Sequence, residues 1–270
     1  MPELPEIETI KRTLSPLICG RVIQRLEIRL AKILRSDPEL FQKSLPGQKI
    51  KALSRRGKLL IIHLTQNALL FHFRMTGNLI YLVPSASEPR YTHLLFYLDQ
   101  GIRLAYTDLR QFGWIELVKE EDLSHHRILA KLGPEPFELN EKEFFALLRT
   151  RNRGLKAFLL DQEMIAGLGN IYTDEALFRA GLHPKRKTSS LSFEEAGRLL
   201  RVIKEVLEEA IRERGSSVRN YVDGQGQRGN FQRQHLVYRK RGEPCPRCGQ
   251  EIAYQKIAGR GTYFCPGCQK

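Results

Sequence analysis

The sequence has little cysteine and no long apolar run. Only five of its 270 residues are cysteine, and four of these lie in two Cys-x-x-Cys pairs near the C-terminus. This usage argues against a disulfide-stapled secreted domain and favours a reducing, cytoplasmic setting. No apolar run approaches the roughly twenty residues that a membrane-spanning helix needs. The N-terminus carries Glu3, Glu6 and Glu8 and lacks the charged-then-apolar pattern of a secretion signal, so no membrane partner is expected.

Acidic residues are scarce relative to basic ones. The chain has 44 Lys and Arg against 30 Asp and Glu, which gives a net charge of +14 and a pI near 9.7. The last sixty residues alone hold twelve Lys and Arg against four Asp and Glu. This surplus favours a nucleic acid as partner, because neutralising phosphates releases their condensed counterions. A basic but inert surface is the alternative.

The four paired cysteines predict a metal site. Cys245 and Cys248 are separated from Cys265 and Cys268 by sixteen residues. Two such knuckles can point four thiolates at one tetrahedral zinc ion, and a filled coordination sphere makes that ion structural. Two disulfides or four unrelated cysteines are the alternatives. The remaining cysteine, Cys19, follows apolar residues and is expected to pack as a small hydrophobe.

The hydrophobic pattern changes along the chain. An amphipathic helix is predicted after Pro2, and between residues 22 and 117 short apolar runs are separated by turn residues. These runs predict an antiparallel sandwich or barrel-like domain. The turn-rich segment 132–136 predicts a linker, and helical patterns follow, including a long one over residues 192–214. Residues 215–229, rich in Gly, Ser, Asn and Gln, predict a mobile loop.

Two features of the helical region have more than one interpretation. Gly167, Gly169 and Asn170 directly precede a predicted helix, whose N-terminus could bind a phosphate through its unpaired N–H groups. A plain helix connector is the alternative for this turn. Glu175, on the same helix, is favoured as a buried capping or bridging acid rather than as a catalyst.

The start of the chain offers an unusual nucleophile. Removal of Met1 would leave Pro2 with a free secondary amine, and α-amino groups titrate near about pH 8. A neutral amine can attack an electrophilic sugar carbon and give an iminium, an electron sink that permits elimination. Glu3 beside it could act as general acid or base. Most Met-Pro starts have no such role, so these residues alone do not establish one.

Several motifs occur together in one order along the chain. They are Met1-Pro-Glu-Leu-Pro-Glu6, Arg55-Arg-Gly-Lys58, His72-Phe-Arg-Met-Thr-Gly77, Asp108-Leu-Arg-Gln-Phe-Gly113, Leu132-Gly-Pro-Glu-Pro136, Gly167-Leu-Gly-Asn-Ile-Tyr172 and the terminal cysteine pairs. With these motifs the chain resembles the bacterial formamidopyrimidine-DNA glycosylases, also called 8-oxoguanine-DNA glycosylases, of the helix–two-turn–helix superfamily. The resemblance spans the chain from Pro2 to Gln269.

The resemblance implies an α+β protein with three parts. Residues 1–131 are expected to form a catalytic antiparallel β-sandwich flanked by helices, and residues 132–137 a linker. Residues 138–234 would form the helix–two-turn–helix DNA-binding domain with a lesion loop, and residues 235–270 a four-cysteine zinc ribbon. One structural zinc is the only cofactor implied. The expected partner is damaged double-stranded DNA, bound by a monomer in the bacterial cytoplasm at the nucleoid.

The resemblance also assigns the chemistry to particular residues. Pro2 would attack C1′ of the damaged nucleotide, and Glu3 would protonate the opening sugar and later shuttle protons. Lys58 would hold a phosphate beside the lesion and help to position the damaged base. Asn170 and Arg260 would clamp the phosphates that flank the lesion. The implied activity is that of a bifunctional glycosylase and AP lyase of base excision repair, with β,δ-elimination.

Further residues are expected to contact DNA. Met75, Arg110 and Phe112 would fill the gap left when the nucleotide is extruded, since flipping a base costs stacking that inserted side chains offset. Without the motif, the two apolar residues would be expected in the core and the arginine in solvent. Lys156 would add a phosphate contact, and Tyr238 is a further DNA-binding position.

The chain departs from the family pattern at a few positions. Thr76 stands where Glu or Ser is frequent, Gln111 where Lys or Arg is frequent, and Arg239 where Gly is frequent. These departures leave the reaction type unchanged and bear on lesion preference. One alternative is an endonuclease VIII-type glycosylase for oxidised pyrimidines, which Leu4 disfavours. Another is a catalytically silent lesion-binding DNA protein.

Overall fold

The computed structural model describes residues 1–270 and divides them into two units. The first unit consists of residues 1–130 and 211–232, and the second of residues 131–210 and 233–270. The segment 211–232 thus belongs to the first unit, whereas the resemblance places residues 138–234 together in the helix–two-turn–helix domain. None of the helices combines the length and the apolar character required to cross a bilayer.

Two antiparallel four-stranded sheets form the first unit. One sheet has the strand order β1-β6-β7-β5 and the other the order β2-β3-β4-β8. The strands are β1 (Ile23–Ile28), β2 (Ala52–Arg56), β3 (Leu59–His63), β4 (Asn67–His72), β5 (Gly77–Leu82), β6 (Thr92–Leu98), β7 (Arg103–Asp108) and β8 (Trp114–Lys119).

The inner faces of the two sheets share one hydrophobic core. Alternate residues of each strand point to the same face, so Phe71 of β4 meets Phe96 of β6 and Tyr106 of β7. Both ring pairs have centroids 6.3 Å apart. Leu60 and Leu69 belong to the same core. The predicted antiparallel sandwich is therefore confirmed.

Helix α1 (Leu4–Ile18) closes one side of this core, and α2 (Pro38–Ser44) lies further along the first unit. Ile7, Ile10 and Leu14 recur at helical spacing and are completely buried, which produces the predicted amphipathic face. The helix ends at Ile18. Cys19 is consequently an exposed C-cap residue, so the expectation that it packs as a small hydrophobe is wrong.

The segment after the last long helix is folded onto the first unit. Gly224 donates its backbone N–H to Thr13 on α1, and its carbonyl accepts the N–H of Tyr81 on β5. Asp223 is completely buried and forms an ion pair with Arg214. The sequence predicts a mobile loop here, but its glycines and amides instead support a packed, hydrogen-bonded segment.

Helices build most of the second unit. They are α3 (Glu141–Arg149), α4 (Leu155–Leu160), α5 (Asn170–Ala180) and α6 (Phe193–Arg212). Gly169 is the N-cap of α5, and Gly181 ends that helix with φ of 72°, a conformation that glycine adopts without strain. In α6 the predicted apolar face is buried, including Leu199, Ile203 and Val206.

A two-stranded hairpin completes the second unit. It consists of β9 (Ala253–Ile257) and β10 (Arg260–Phe264). The two turn residues, Ala258 and Gly259, have φ of 50° and 71°, as a two-residue hairpin turn of the favoured twist requires. Phe178 of α5 packs against residues of the cysteine region, among them Ile252, and thereby anchors the hairpin within this unit.

Candidate active site and zinc centre

The N-terminal end of α1 is buried. Pro2 is buried, and Glu3 and Glu6 are only 2% and 1% exposed. The N–H of Glu3 donates to Glu6 Oε2 at 2.7 Å, and Glu6 Oε1 accepts the N–H of Ser216 at 2.8 Å. The Glu6 carboxylate therefore fixes the backbone of Glu3 and ties it to the folded 215–229 segment. The sequence did not distinguish Glu6 from its neighbours.

The turn that carries Lys58 is attached to the same helix. Lys58 follows Gly57 in the tight turn between β2 and β3 and is 8% exposed. Arg55 donates through Nε to Glu8 Oε2 on α1 and through Nη1 to the carbonyl of Gly57, each at 3.1 Å. One guanidinium thus connects α1 to the turn. The turn that carries Lys58 is therefore attached to α1, the helix that begins directly after Pro2 and Glu3.

Glu8 is the electrostatic anchor of that connection. Burial alone would raise the pKa of Glu8, but hydrogen bonds from Lys11, Arg12 and Arg55 lower the pKa to about 2. Its side chain is 8% exposed. The carboxylate is therefore ionised across the neutral range and holds three cations.

His72, at the end of β4, is a neutral neighbour of Lys58. Burial, together with the positive charges of Arg74 and Lys58, lowers the pKa of His72 to about 3. Its ring lies 5.6 Å from that of Trp114, and its Nδ1 accepts the N–H of Arg74 at 3.1 Å. His72 was not singled out from the sequence, although it lies in the motif that contains Met75.

Met75, Arg110 and Phe112 are brought together at the surface by two separate turns. Met75 lies between β4 and β5, and Arg110 and Phe112 lie between β7 and β8. Arg110 Nη1 is 3.0 Å from Met75 Sδ, and its guanidinium carbon is 4.7 Å from the ring centroid of Phe112. Met75 is 40% and Phe112 54% exposed, so neither belongs to the core. Exposed apolar side chains grouped in this way are typical of an interaction site.

Lys156 in the second unit is placed differently from the predicted phosphate contact. Its side chain is completely buried, as is that of Asp174, and Nζ lies 2.6 Å from Asp174 Oδ1. Nζ also donates to the carbonyl of Gly261 in the hairpin at 3.3 Å. Because the ammonium is paired inside the protein, Lys156 has an internal role in place of the predicted phosphate contact.

Asn170 and Arg260 both lie next to Gly261, whose carbonyl also accepts a hydrogen bond from the ammonium of Lys156. Asn170 is the first residue of α5, and its Nδ2 donates to the carbonyl of Gly261 at 2.9 Å. Arg260 precedes Gly261 at the start of β10 and is exposed. The hydrogen bond from Asn170 joins the start of α5 to the hairpin. Arg260 therefore belongs to a strand that is held in place, not to a free loop.

Glu175 fixes the backbone around Tyr238. Its completely buried carboxylate accepts three backbone N–H groups, from Leu236, Val237 and Tyr238, at 2.8, 3.0 and 2.8 Å. The favoured interpretation of Glu175 as a buried bridging acid is confirmed. The ring of Tyr238 stands edge-on to that of Tyr263 at 5.4 Å, which places Tyr238 against β10.

The four paired cysteines converge on one point. Their Sγ atoms all lie within 4.8 Å of one another, with Cys245 to Cys268 at 3.8 Å and Cys248 to Cys265 at 3.4 Å. A tetrahedral ion with Zn–S bonds of about 2.3 Å separates its sulfur ligands by about 3.8 Å, so the geometry fits zinc. None of the cysteines is disulfide-bonded, which excludes the two-disulfide alternative.

Three protein-family models match successive segments of the chain. Residues 1–115 match the formamidopyrimidine-DNA glycosylase N-terminal domain, residues 132–222 the formamidopyrimidine-DNA glycosylase H2TH domain, and residues 242–270 a zinc finger found in FPG and IleRS. A glycosylase domain, a helix–two-turn–helix domain and a zinc finger in this order define a DNA-repair glycosylase with one structural zinc.

The relatives identify the family. The chain is 48% identical over 277 residues to a formamidopyrimidine-DNA glycosylase of Heliobacterium modesticaldum, covering 100% of both chains. It is 46% identical over 275 residues to that of Pelotomaculum thermopropionicum, covering 100% of this chain and 99% of the relative. The chain belongs to the formamidopyrimidine-DNA glycosylase family.

Solved structures show the same fold. A Lactococcus lactis FPG mutant in complex with Fapy-dG-containing DNA matches with a TM-score of 0.93 and 39% identity, covering 100% of both chains. A complex between Lactococcus lactis Fpg and abasic-site DNA matches with a TM-score of 0.93 and 39% identity, covering 99% of both chains. The α+β architecture predicted from the sequence is confirmed.

Proposed function

We propose that this protein is a bifunctional DNA glycosylase and AP lyase that removes oxidised purines, among them 8-oxoguanine and formamidopyrimidines, from duplex DNA. It would act as a monomer in the cytoplasm. Its family membership, the Lactococcus lactis relatives bound to Fapy-dG and abasic-site DNA, and its net charge of +14 support the proposal. The observation that carries it is the burial of Pro2 and Glu3 at the N-terminal end of α1.

This position suits the nitrogen of Pro2 to nucleophilic attack. Once Met1 is removed, the nitrogen is a secondary amine at the positive end of the α1 dipole, which disfavours the protonated form. The neutral amine bonds to C1′, the bond from C1′ to the damaged base breaks, and the amine proton leaves with the base.

Ring opening and strand cleavage would follow from this adduct. The C1′–O4′ bond breaks, O4′ takes a proton from Glu3, and an iminium remains between C1′ and Pro2. Loss of a proton from C2′ expels the 3′-phosphate, and loss of a proton from C4′ then expels the 5′-phosphate. Water finally hydrolyses the iminium and regenerates the amine.

The other predicted positions would bind and hold DNA. Lys58 would hold a phosphate beside the lesion, and the exposed Arg260 would bind a flanking phosphate together with the start of α5 at Asn170. Tyr238 would contribute at the same face of the hairpin. Met75 and Phe112 each contact Arg110 at the surface, and all three would enter the base stack as the damaged nucleotide leaves.

Borohydride trapping tests the proposal. The protein should form a covalent adduct with duplex DNA that carries 8-oxoguanine opposite cytosine. An N-terminal Gly-Ser extension, which converts the Pro2 nitrogen into an amide, should abolish the adduct. The matched control is Pro16→Ala, since Pro16 is an exposed proline in the same helix and should leave the adduct intact.

Each outcome decides between the alternatives. An undiminished adduct in the extended protein would remove Pro2 from its role. Preferential trapping on a duplex with an oxidised pyrimidine would favour the endonuclease VIII-type activity. Tight binding of both duplexes without any adduct or base release would indicate a silent lesion-binding protein.

A further inference from the structure

We propose that Asp108 is a positioning residue that fixes the extrusion wedge, defined here as Met75, Arg110 and Phe112. The proposal rests on the function proposed above, since it concerns how this protein would open duplex DNA. Asp108 is the last residue of β7 and is completely buried. It therefore acts through other groups rather than by touching the substrate.

The two turns that carry the wedge need external support. Met75 follows Arg74, whose φ is 50°, and Phe112 follows Gln111, whose φ is 57°. Residues other than glycine are uncommon in this left-handed region, and they persist there only where the surroundings determine the conformation. The exposed wedge side chains cannot supply that support, because they do not reach the core.

The Asp108 carboxylate supplies it from below. Oδ1 accepts the hydroxyl of Thr76 at 2.5 Å and the N–H of Arg110 at 3.2 Å. Oδ2 accepts the N–H of Gly113 at 2.8 Å. One carboxylate thus binds the turn of Met75 and both ends of the turn that carries Arg110 and Phe112.

Thr76 is the connecting group between the turns. Its hydroxyl donates to Asp108, and the same oxygen accepts the N–H of Arg110 at 3.0 Å. The Thr76 hydroxyl is thus turned inward to the carboxylate. The geometry assigns Thr76 to holding the two turns at a fixed separation rather than to contacting the extruded base.

Asp108 is itself held on both sides. Its N–H donates to the carbonyl of Tyr91 at 3.1 Å, and its carbonyl accepts His93 Nε2 at 2.9 Å. It also pairs with Gly77 across β5 and β7, at the exit of the Met75 turn. Asp108 thus attaches the turns of the extrusion wedge to the β5–β7 sheet. These turns are therefore already ordered before DNA binds. Loosening them would add an entropic cost to base extrusion.

A matched pair of substitutions at Thr76 tests this role. Thr76→Val keeps the shape of the side chain but removes the hydroxyl, whereas Thr76→Ser keeps the hydroxyl. Single-turnover base excision from an 8-oxoguanine duplex should fall about tenfold in Thr76→Val, as the loss of one hydrogen bond to a charged group allows. Thr76→Ser should stay close to wild type.

A second substrate separates positioning from general damage. A single-stranded oligonucleotide with an abasic site has no base to extrude and no partner strand to replace. Borohydride trapping on it should be unchanged in Thr76→Val and in Asp108→Asn, which places an amide among the donors of Arg110 and Gly113. Melting temperatures measured in parallel show whether each variant is folded.

The possible results are distinct. An equal loss on both substrates would show that Thr76 and Asp108 only maintain the fold, and unimpaired excision by Thr76→Val would refute their role in the wedge. If wild-type protein forms no adduct with either substrate, the proposed function itself fails. If Asp108→Asn does not fold, the comparison of Thr76→Val with Thr76→Ser still decides the question.

Discussion

Replacing Lys156 by Met should destabilise the second unit by about 3 kcal/mol, because it leaves a buried carboxylate without its cation. Lys156 and Asp174 are both completely buried, with Nζ and Oδ1 2.6 Å apart. Met has a similar length but no charge. Asp174 would keep the hydrogen bond from the N–H of Tyr263, at 3.0 Å, but would lose its ion pair.

The magnitude follows from the burial of the pair. Removing one partner of a buried ion pair typically costs about 3–5 kcal/mol. Burial raises the pKa of Asp174, while Lys156 opposes the increase. In Lys156→Met the carboxyl can therefore take up a proton at modest cost, which places the expected loss at the lower end. Since whole domains are stable by only about 5–15 kcal/mol, the effect is large.

Urea unfolding followed by far-ultraviolet circular dichroism measures this loss, since helices α3 to α6 supply much of the signal. The control is Lys142→Met, at an exposed position of α3, which should change stability by less than about 0.5 kcal/mol. The double variant Lys156→Met with Asp174→Asn should lose less than the sum of the two single variants. A Lys156→Met protein as stable as wild type would refute the assignment of an internal ion pair.

Other positions give further tests. Cys248→Ser should reduce bound zinc, measured by atomic absorption, and weaken DNA binding in a gel shift; retained affinity without zinc would contradict a supporting role for the ribbon. Glu8 has a pKa lowered to about 2 from 4.5, so its contribution to stability is complete above pH 4.5 and is lost as pH falls toward 2. Wild type and Glu8→Gln should therefore converge in acid unfolding curves, and a constant gap at all pH values would be inconsistent with this linkage. His72, with a pKa lowered to about 3, should show flat ring NMR shifts between about pH 5 and 8; a titration step in that range would show that the ring is not buried. Gly113→Ala would place a methyl group 1.9 Å from the hydroxyl of Tyr106 and should lower the melting temperature by several degrees, whereas an unchanged value would show that the turn can move away.

Much of the fold could be predicted from local patterns. Apolar residues at helical spacing in α1 and α6 define faces that are buried in the structure, since a helix brings residues three and four apart onto one side. Short apolar runs between turn residues predict the strands of the sandwich, since a run of this length bounded by turns is typical of a buried strand. The cysteine spacing predicts the zinc centre, because a knuckle is a local turn whose geometry does not depend on the rest of the chain.

The surroundings of individual side chains could not be predicted from the sequence in the same way. Lys156 looks like a surface cation in the sequence, yet its ammonium lies on Asp174 and the carbonyl of Gly261, which is 105 residues away. The packing of residues 215–229 onto α1 was missed because their composition is typical of loops. Their glycines allow close approach instead: a methyl group on Gly224 would lie 2.4 Å from Leu14 Cγ.

The sequence by itself determined the secondary structure pattern, the sign of the charge and the ligands of the zinc ion, since each of these depends on neighbours close in the chain. Only the tertiary structure decided which buried carboxylates meet which donors. Thr76 and Asp108 are 32 residues apart and Arg55 and Glu8 are 47 apart, yet each pair is hydrogen-bonded. Such pairings are fixed by strand register and helix docking, which involve many residues at once and leave no mark on either partner alone.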